Sequence, residues 1–304
     1  MQKAYLTALY ELMEKDQNVY SLLSDSGTEY DKIIIRSFPN QCFNFGIAEE
    51  HKVAAASGMA AMGKIPFINT TGAFLSYRAY EFIRDDICFQ NRNVKILGVG
   101  SGVSISTLGP SHHATEDISA LRVLPNLTLF SPASPRELKK CIAAAYKRKG
   151  PVYIRVGMSG EKEILGDCDD YSIETIRTLI NGTDIVLFVT GSIAAEVADT
   201  VALLKADHID AKLVNVPTLK PADPEDILAA IKDSRYVFTI EEHSVIGGLG
   251  SIVAEIMADA GVAVPLKRIG LNDCFASGYG SEKQVLQMNG LDGNGIYRQV
   301  VAEL

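Results

Sequence analysis

Short apolar runs recur along the whole chain. Each ends in glycine or small polar residues, and each is followed by a helical pattern. That alternation constrains the fold more than any other feature. Strands separated by helices cannot pair as hairpins; they form parallel sheets covered by helices on both faces. Runs at 19–23, 65–69, 93–99, 126–130 and 152–156 form a first set, and runs at 184–189, 211–216, 235–240 and 264–269 a second. Between the sets the pattern lapses, with Gly157, Ser159, Gly160, Gly166 and an acidic stretch from Asp167 to Asp170. The expected fold is α/β, with two doubly wound α/β domains at 1–165 and 183–304 joined by a linker at 166–182. A chain of 304 residues is long enough for both.

Local signals mark several helices. Tyr5, Leu6, Leu9, Leu12 and Met13 share one face near the N-terminus, and Glu11 and Glu14 interrupt the pattern in a way no signal peptide does. Ser134-Pro135-Arg136-Glu137 combines an N-cap, a first-turn proline and an N3 glutamate, opening a helix to Arg148. Asp223-Pro224 opens another, to Lys232.

Composition excludes several partners. The net charge is −8 with no basic stretch, which argues against nucleic acid or an anionic membrane surface. No apolar run reaches the roughly 18–20 residues that a membrane span needs. Five cysteines stand singly, without metal-ligand spacing, and read as reduced residues of a cytoplasmic protein.

Candidate chemistry gathers at the ends of the first strands. In Phe43-Asn44-Phe45-Gly46-Ile47-Ala48-Glu49-Glu50-His51 a strand-like run turns into an Ala-rich helix. Glu49 and Glu50 either complement the positive helix N-terminus or supply a buried acid–base group; this stretch alone leaves both open. Ser24-Asp25-Ser26-Gly27 follows a strand end, where α/β proteins place their sites. Ser24 lacks the nucleophile-elbow context of a hydrolase. Phe74, Tyr77 and Tyr80 are spaced to lie along one side of a helix, which by spacing alone reads as core. His112-His113 lacks carboxylate or cysteine partners at metal-ligand spacing, so no metal site is assigned and a single functional imidazole fits better. Gly247-Gly248-Leu249-Gly250 is not a GxGxxG fingerprint and follows Glu241-Glu242, which would repel a phosphate; these glycines read as helix packing, and Glu241-Glu242-His243 as a strand cap.

Four of these stretches, in order, resemble the C-terminal half of transketolase: Gly46–His51, Phe74-Leu75-x-Tyr77-x-x-Tyr80, Gly109-Pro110-Ser111-His112-His113, and Leu121–Asn126. They are similar to 1-deoxyxylulose-5-phosphate synthase almost as well, and Gly-Ile-Ala-Glu is nearer to the latter. The resemblance spans nearly the whole chain and implies a thiamine diphosphate pyrimidine-binding domain followed by a transketolase C-terminal-like domain. Enzymes of this kind also have a diphosphate domain with a Gly-Asp-Gly motif followed by an asparagine. This chain has no such motif, Gly290-Leu291-Asp292-Gly293 being different. The resemblance therefore implies the smaller subunit of a split transketolase. A partner subunit would hold the diphosphate and Mg²⁺ in an α₂β₂ assembly, with self-association through the pyrimidine and C-terminal domains.

The resemblance also assigns roles. Glu49 matches the glutamate that bonds the pyrimidine N1′ and drives the ring to its imino tautomer, a role suited to a buried carboxylate of raised pKa. Phe74, Tyr77 and Tyr80 match the aromatic wall around the pyrimidine, Asp25 an aspartate near its edge, and His112 the histidine that touches the donor's oxygens. Transketolases read phosphosugars with arginines where this chain has Gln2 and Met158, and hydroxyls with a histidine and an aspartate where it has Gly100 and Leu108. Arg155 lies close to Met158 in sequence. The implied activity is transfer of a two-carbon ketol unit from a ketose sugar to an aldehyde. The alternatives are a decarboxylating enzyme of the same cofactor class (deoxyxylulose-phosphate synthase-like or a 2-oxoacid dehydrogenase E1 β-subunit) and a non-catalytic module with the same fold.

Overall fold

The computed structural model describes residues 1–24, 29–158, 164 and 172–304. The first half runs α1 (Gln2–Lys15), β1 (Val19–Leu23), α2 (Glu29–Ser37), β2 (Cys42–Asn44), α3 (Glu49–Ala61), β3 (Ile65–Thr71), a π-helical segment (Phe74–Arg78), α4 (Tyr80–Phe82), a second π-helical segment (Ile83–Phe89), β4 (Lys95–Val99), α5 (Asp117–Arg122), β5 (Thr128–Phe130), α6 (Pro135–Lys147) and β6 (Val152–Val156). The second half runs β7 (Arg177–Ile180), β8 (Ile185–Thr190), α7 (Ala194–Ala206), β9 (Ala211–Asn215), β10 (Thr218–Lys220), α8 (Pro224–Ile231), β11 (Tyr236–Ser244), α9 (Leu249–Asp259), β12 (Leu266–Leu271), α10 (Glu282–Met288) and α11 (Gly293–Val301).

Two sheets result. The first has the order β10-β5-β6-β4-β3-β1-β2, and the second β12-β11-β8-β9-β7. All pairings are parallel except those of β10 with β5 and β7 with β9. Every residue of β6 and of β8 is buried, as expected for strands covered by helices on both faces. On one face of the first sheet α1 packs against α6, with Tyr5, Leu9 and Met13 meeting Leu138, Cys141 and Ile142 in one apolar cluster. On the other face α3, both π-helical segments and α5 lie over Leu22, Ile68 and Ile96.

Helix starts follow the expected chemistry. The Ser134 hydroxyl accepts from Glu137 N at 3.3 Å with Pro135 in the first turn, and Asp223 accepts from the Glu225 and Asp226 amides. The Glu137 carboxylate does not complete a capping box. It accepts from Ala133 N at 2.6 Å and from Asn215 Nδ2 at 2.9 Å, tying α6 to β9. Described cysteines Cys42, Cys88 and Cys141 are buried and free, and Cys274 is free and exposed. No described helix is long and apolar enough to cross a membrane.

Three elements differ from the strand–helix reading. The α2 segment carries the β-branched run Ile33-Ile34-Ile35, in which Ile34 alone is buried, so its helical period is hard to see. The β7 strand, from the stretch read as linker, forms the antiparallel edge of the second sheet. The β10 strand follows β9 in sequence but crosses to the first sheet and pairs with β5. Three residues suffice there because Leu219 is buried between the two cores.

Candidate active site

In the first sheet the chain leaves β1 toward β2, then returns past β1 to β3 and continues to β4. The carboxyl ends of the adjacent strands β1 and β3 therefore feed connections running in opposite directions. That reversal opens a crevice at the strand ends, where ligands of α/β sheets bind.

Glu49 is delivered to this crevice by a specific turn. Gly46 has φ +67°, and its N–H donates to Asn44 Oδ1 at 2.9 Å, so the chain reverses after β2 through a conformation that glycine adopts without strain. α3 then starts at Glu49, with Glu49 and Glu50 both in its first turn. The two carboxylates differ in surroundings. Glu50 is half-buried and serves as a helix-start charge, whereas Glu49 is 2% exposed. The Glu49 Oε2 atom accepts from Arg78 Nη1 at 2.7 Å. One turn further on, Lys52 is fully buried and donates from Nζ to Ser24 Oγ at 2.5 Å and to the Asn69 carbonyl at 2.8 Å. Burial pushes the Lys52 amine down to about 7, against the upward pull of Glu49.

The aromatic stretch is not a regular α-helix. Phe74–Arg78 is π-helical, and the path changes at Ala79 before the short α4. A wider turn no longer stacks residues three apart, so Phe74, Tyr77 and Tyr80 do not form one stripe. Phe74 meets the His112 ring edge-on at 5.1 Å between centroids and carries the Arg78 guanidinium 4.5 Å over its face. The Tyr77 hydroxyl donates to Glu116 Oε2 at 2.7 Å and accepts from Glu116 N at 3.0 Å. Tyr80 packs against the hydrophobic core. Glu49, Arg78, Phe74 and His112 thus form one connected group, with Tyr77 fixed to the loop after His112. Asp25 lies outside the described residues.

His112 is half-buried, with Nδ1 2.9 Å from Ser111 Oγ. His113 is buried, and neither of its ring nitrogens has a hydrogen-bond partner among the described residues. Burial lowers the His113 pKa, with Glu116 opposing, so the ring is neutral at neutral pH. No group of three or more described His, Cys, Asp or Glu residues could hold a metal ion.

The four positions that the resemblance sets against sugar-reading residues of transketolases have the following surroundings. Met158 is exposed, Leu108 is exposed and Gln2 is half-buried on α1. Gly100 has φ +79°, and the Ile105 side chain fills the space that a Cβ would need. Arg155 is committed elsewhere: its Nε donates to Asp117 Oδ2 at 2.8 Å and Oδ1 at 3.1 Å, and its Nη2 donates to the Ala114 carbonyl. Tyr153 donates to the same Asp117 Oδ2 at 2.9 Å. This buried pair anchors the domain junction, where Glu242 Oε1 accepts from Val103 N at 2.5 Å. Glu241 caps α9 by accepting from Leu249 N at 2.7 Å and Gly250 N at 2.9 Å. A Cβ at Gly248 would overlap the Glu241 carboxylate, so that glycine serves close packing at the start of α9.

Lys52, Arg78 and Glu116 have no counterpart in the residue-by-residue reading of the sequence, and His113 figures there only beside His112. Lys52 carried one usable signal: a lysine three residues after Glu49, among alanines on a helix face that must be buried.

The family model for the transketolase pyrimidine binding domain matches residues 1–159, and that for the transketolase C-terminal domain matches residues 174–296. An apulose-4-phosphate transketolase subunit of Actinobacillus succinogenes is 37% identical over 86% of this chain and 84% of its own. The 6-deoxy-6-sulfo-D-fructose transketolase subunit SqwH of Clostridium sp. MSTE9 is 32% identical over 90% of this chain and 85% of its own. A solved structure of a split gene transketolase, described as an inactive beta4 tetramer, superposes with a TM-score of 0.90 at 34% identity, covering 99% of this chain and 97% of that one.

Proposed function

The chain belongs to the transketolase family, and from that premise we propose that it is the pyrimidine-domain subunit of a split, thiamine diphosphate-dependent enzyme that moves a two-carbon ketol unit from a ketose donor to an aldehyde acceptor. The observation that carries this reading is the buried Glu49 carboxylate at the β1/β3 crevice, joined through Arg78 to Phe74 and His112. These residues fit the pyrimidine half of the cofactor. Glu49 has acceptor sites beyond its one bond to Arg78, and the Phe74 ring offers a stacking surface.

The cofactor, when bound, supplies the carbanion chemistry. Glu49 would share a proton with a pyrimidine ring nitrogen through Oε1, the oxygen not bonded to Arg78, in a setting shielded from water. Phe74 and Tyr77 wall the ring, with Tyr77 held in place by Glu116. His112 faces the reacting oxygens of the donor. The resemblance assigns Asp25 to the pyrimidine edge. A partner subunit holds Mg²⁺ and the diphosphate, and two copies of each chain form an α₂β₂ enzyme in the cytoplasm. Relatives named for apulose-4-phosphate and for 6-deoxy-6-sulfo-D-fructose support a specialised sugar substrate. With Arg155 bound to Asp117 and Met158 in place of an arginine, we place the substrate among sugars held with little phosphate recognition on this subunit.

The test is reconstitution with a partner chain carrying the Gly-Asp-Gly motif. Ketol transfer that needs both thiamine diphosphate and Mg²⁺ is expected from at least one of a panel of ketose donors. No transfer from any donor overturns the reading, and CO₂ release from pyruvate replaces it with the decarboxylating one.

A further inference from the structure

We propose that Lys52 is a positioning residue of the cofactor-activating site, its amine clamped between the end of β1 and β3 so as to place a titratable charge one helical turn from Glu49. This rests on the role given above to Glu49.

Three observations converge on Lys52. It is fully buried at the crevice between β1 and β3. It spans the two strand ends that define that crevice. Ser24 is the first residue past β1, and the Asn69 carbonyl lies just beyond the last β1–β3 register pair, Leu22 with Ile68. It also sits one helical turn from Glu49, so that two buried opposite charges face the same crevice from one helix.

A second buried lysine provides the control. Lys95 donates to Asn93 Oδ1 at 2.7 Å, the Arg148 carbonyl at 2.8 Å and the Gly150 carbonyl at 2.9 Å. Three acceptors match the three N–H groups of an ammonium. Among the described residues Lys52 has two, the number that a neutral amine satisfies. Burial pushes both amines down to about 7, but only Lys95 has a full set of acceptors to hold its proton. With one acceptor fewer, Lys52 is the amine less able to hold its proton where burial disfavours the charge.

The groups around Lys52 leave Glu49 as its electrostatic partner. Against α3 pack β1, β3, α4 and both π-helical segments. From these, Arg78 is bonded to Glu49, and Arg84 pairs with Asp85 at the surface. Tyr20, Tyr77, Tyr80, Glu81, Asp86 and Cys88 carry the other titratable groups there, Glu50 and His51 flank it on α3, and Glu49 is the charge that acts on Lys52. Protonated, Lys52 sets a positive charge one helical turn from Glu49; neutral, it does not, so the electrostatic setting of Glu49 follows the charge on Lys52. The pair couples the readiness of the site to pH.

The first measurement uses the full chain without cofactor or partner, so it is independent of the enzymatic reading. The lysine side-chain resonances are titrated by NMR, with Lys52 assigned by difference against Lys52→Met. We expect the Lys52 signal to titrate near neutrality; titration above about pH 10, as for a surface lysine, overturns the proposal. Should Lys52→Met not fold, Lys52→Gln provides the assignment. The second measurement is the pH profile of kcat/KM in the two-subunit enzyme. Substitution of Lys52 is expected to abolish the inflection near neutrality or move it by more than one pH unit. A uniform fall in activity with the inflection unmoved, as a purely structural lysine would give, overturns the proposal.

Discussion

Glu49 and Asp117 are both shielded carboxylates paired with an arginine, and they are held in different ways. Asp117 is fully buried; Arg155, its partner, is 3% exposed, and Tyr153 adds a third bond to the same carboxylate. Among the described residues Glu49 accepts one bond, from an Arg78 whose side chain is 41% exposed. The junction carboxylate has spent its acceptor capacity on the protein, whereas the crevice carboxylate retains most of its own. A buried group left with open acceptor sites lowers stability unless something else fills them. That difference separates a carboxylate locked within the first domain, beside the junction, from one with acceptor sites to spare.

The contrast can be broken at either end. The largest effect is expected for Glu49→Gln. Turnover of the reconstituted enzyme should fall by about 10²–10⁴-fold, the range for losing a general acid–base group, while the subunits still assemble. Steady-state kinetics with size-exclusion chromatography checks both halves; retained turnover removes Glu49 from the chemistry. Asp117→Ala should do the reverse at the junction. It leaves Arg155 buried without its partner, a change that costs about 3–5 kcal/mol, measurable as a lowered urea midpoint of the full chain. An equal loss of stability in Glu49→Gln would erase the distinction.

Glu242 sharpens the comparison through pH. Burial and the neighbouring Glu282 carboxylate push it from 4.5 up to about 8. Between those values the folded chain binds more protons than the unfolded one, so this group's contribution to stability is full below about pH 4.5, falls as pH rises, and is lost above about 8. Glu242→Gln should flatten that fall by at least one pKa unit's worth, about 1.4 kcal/mol, in urea unfolding followed from acidic to mildly alkaline pH. An unchanged slope would mean that Glu242 stays ionised throughout. The smallest effect belongs to Ser134→Ala, which removes the α6 N-cap beside the Glu137–Asn215 contact. A loss of about 1 kcal/mol is expected; a loss as large as that of Asp117→Ala would make the cap part of the junction's charge network.

How much of this was legible in the sequence depends on the range of the interaction. The run Val19–Leu23 and the run Val152–Val156 have the bounds read from their apolar pattern, and the Ser134-Pro135 and Asp223-Pro224 helix starts are where their capping chemistry puts them. In each case the cause lies within a few residues. The resemblance to transketolase, carried by ordered motifs, is matched by both family models. The π-helical turn at Phe74–Arg78 was not legible, because three-residue spacing suits an α-helix and nothing local announces the wider turn. Nor was the crossing of Thr218–Lys220 into the first sheet, a pairing that only the assembled β5 edge makes available.

What the sequence determined by itself is the alternation of strand and helix, the two-domain α/β architecture and the delivery of Glu49 to the start of a helix after a glycine turn. These follow from burial period, capping and φ preferences, which act along the chain. The tertiary structure alone decided what each charge meets. Arg155 lies a few residues from Met158 in sequence, yet it is locked to Asp117 at the start of α5. Lys52 reads as one more helix lysine, yet its amine ends between Ser24 and Asn69. The physical reason is that a buried charge is governed by the few atoms within hydrogen-bond reach, and folding brings those atoms from distant parts of the chain.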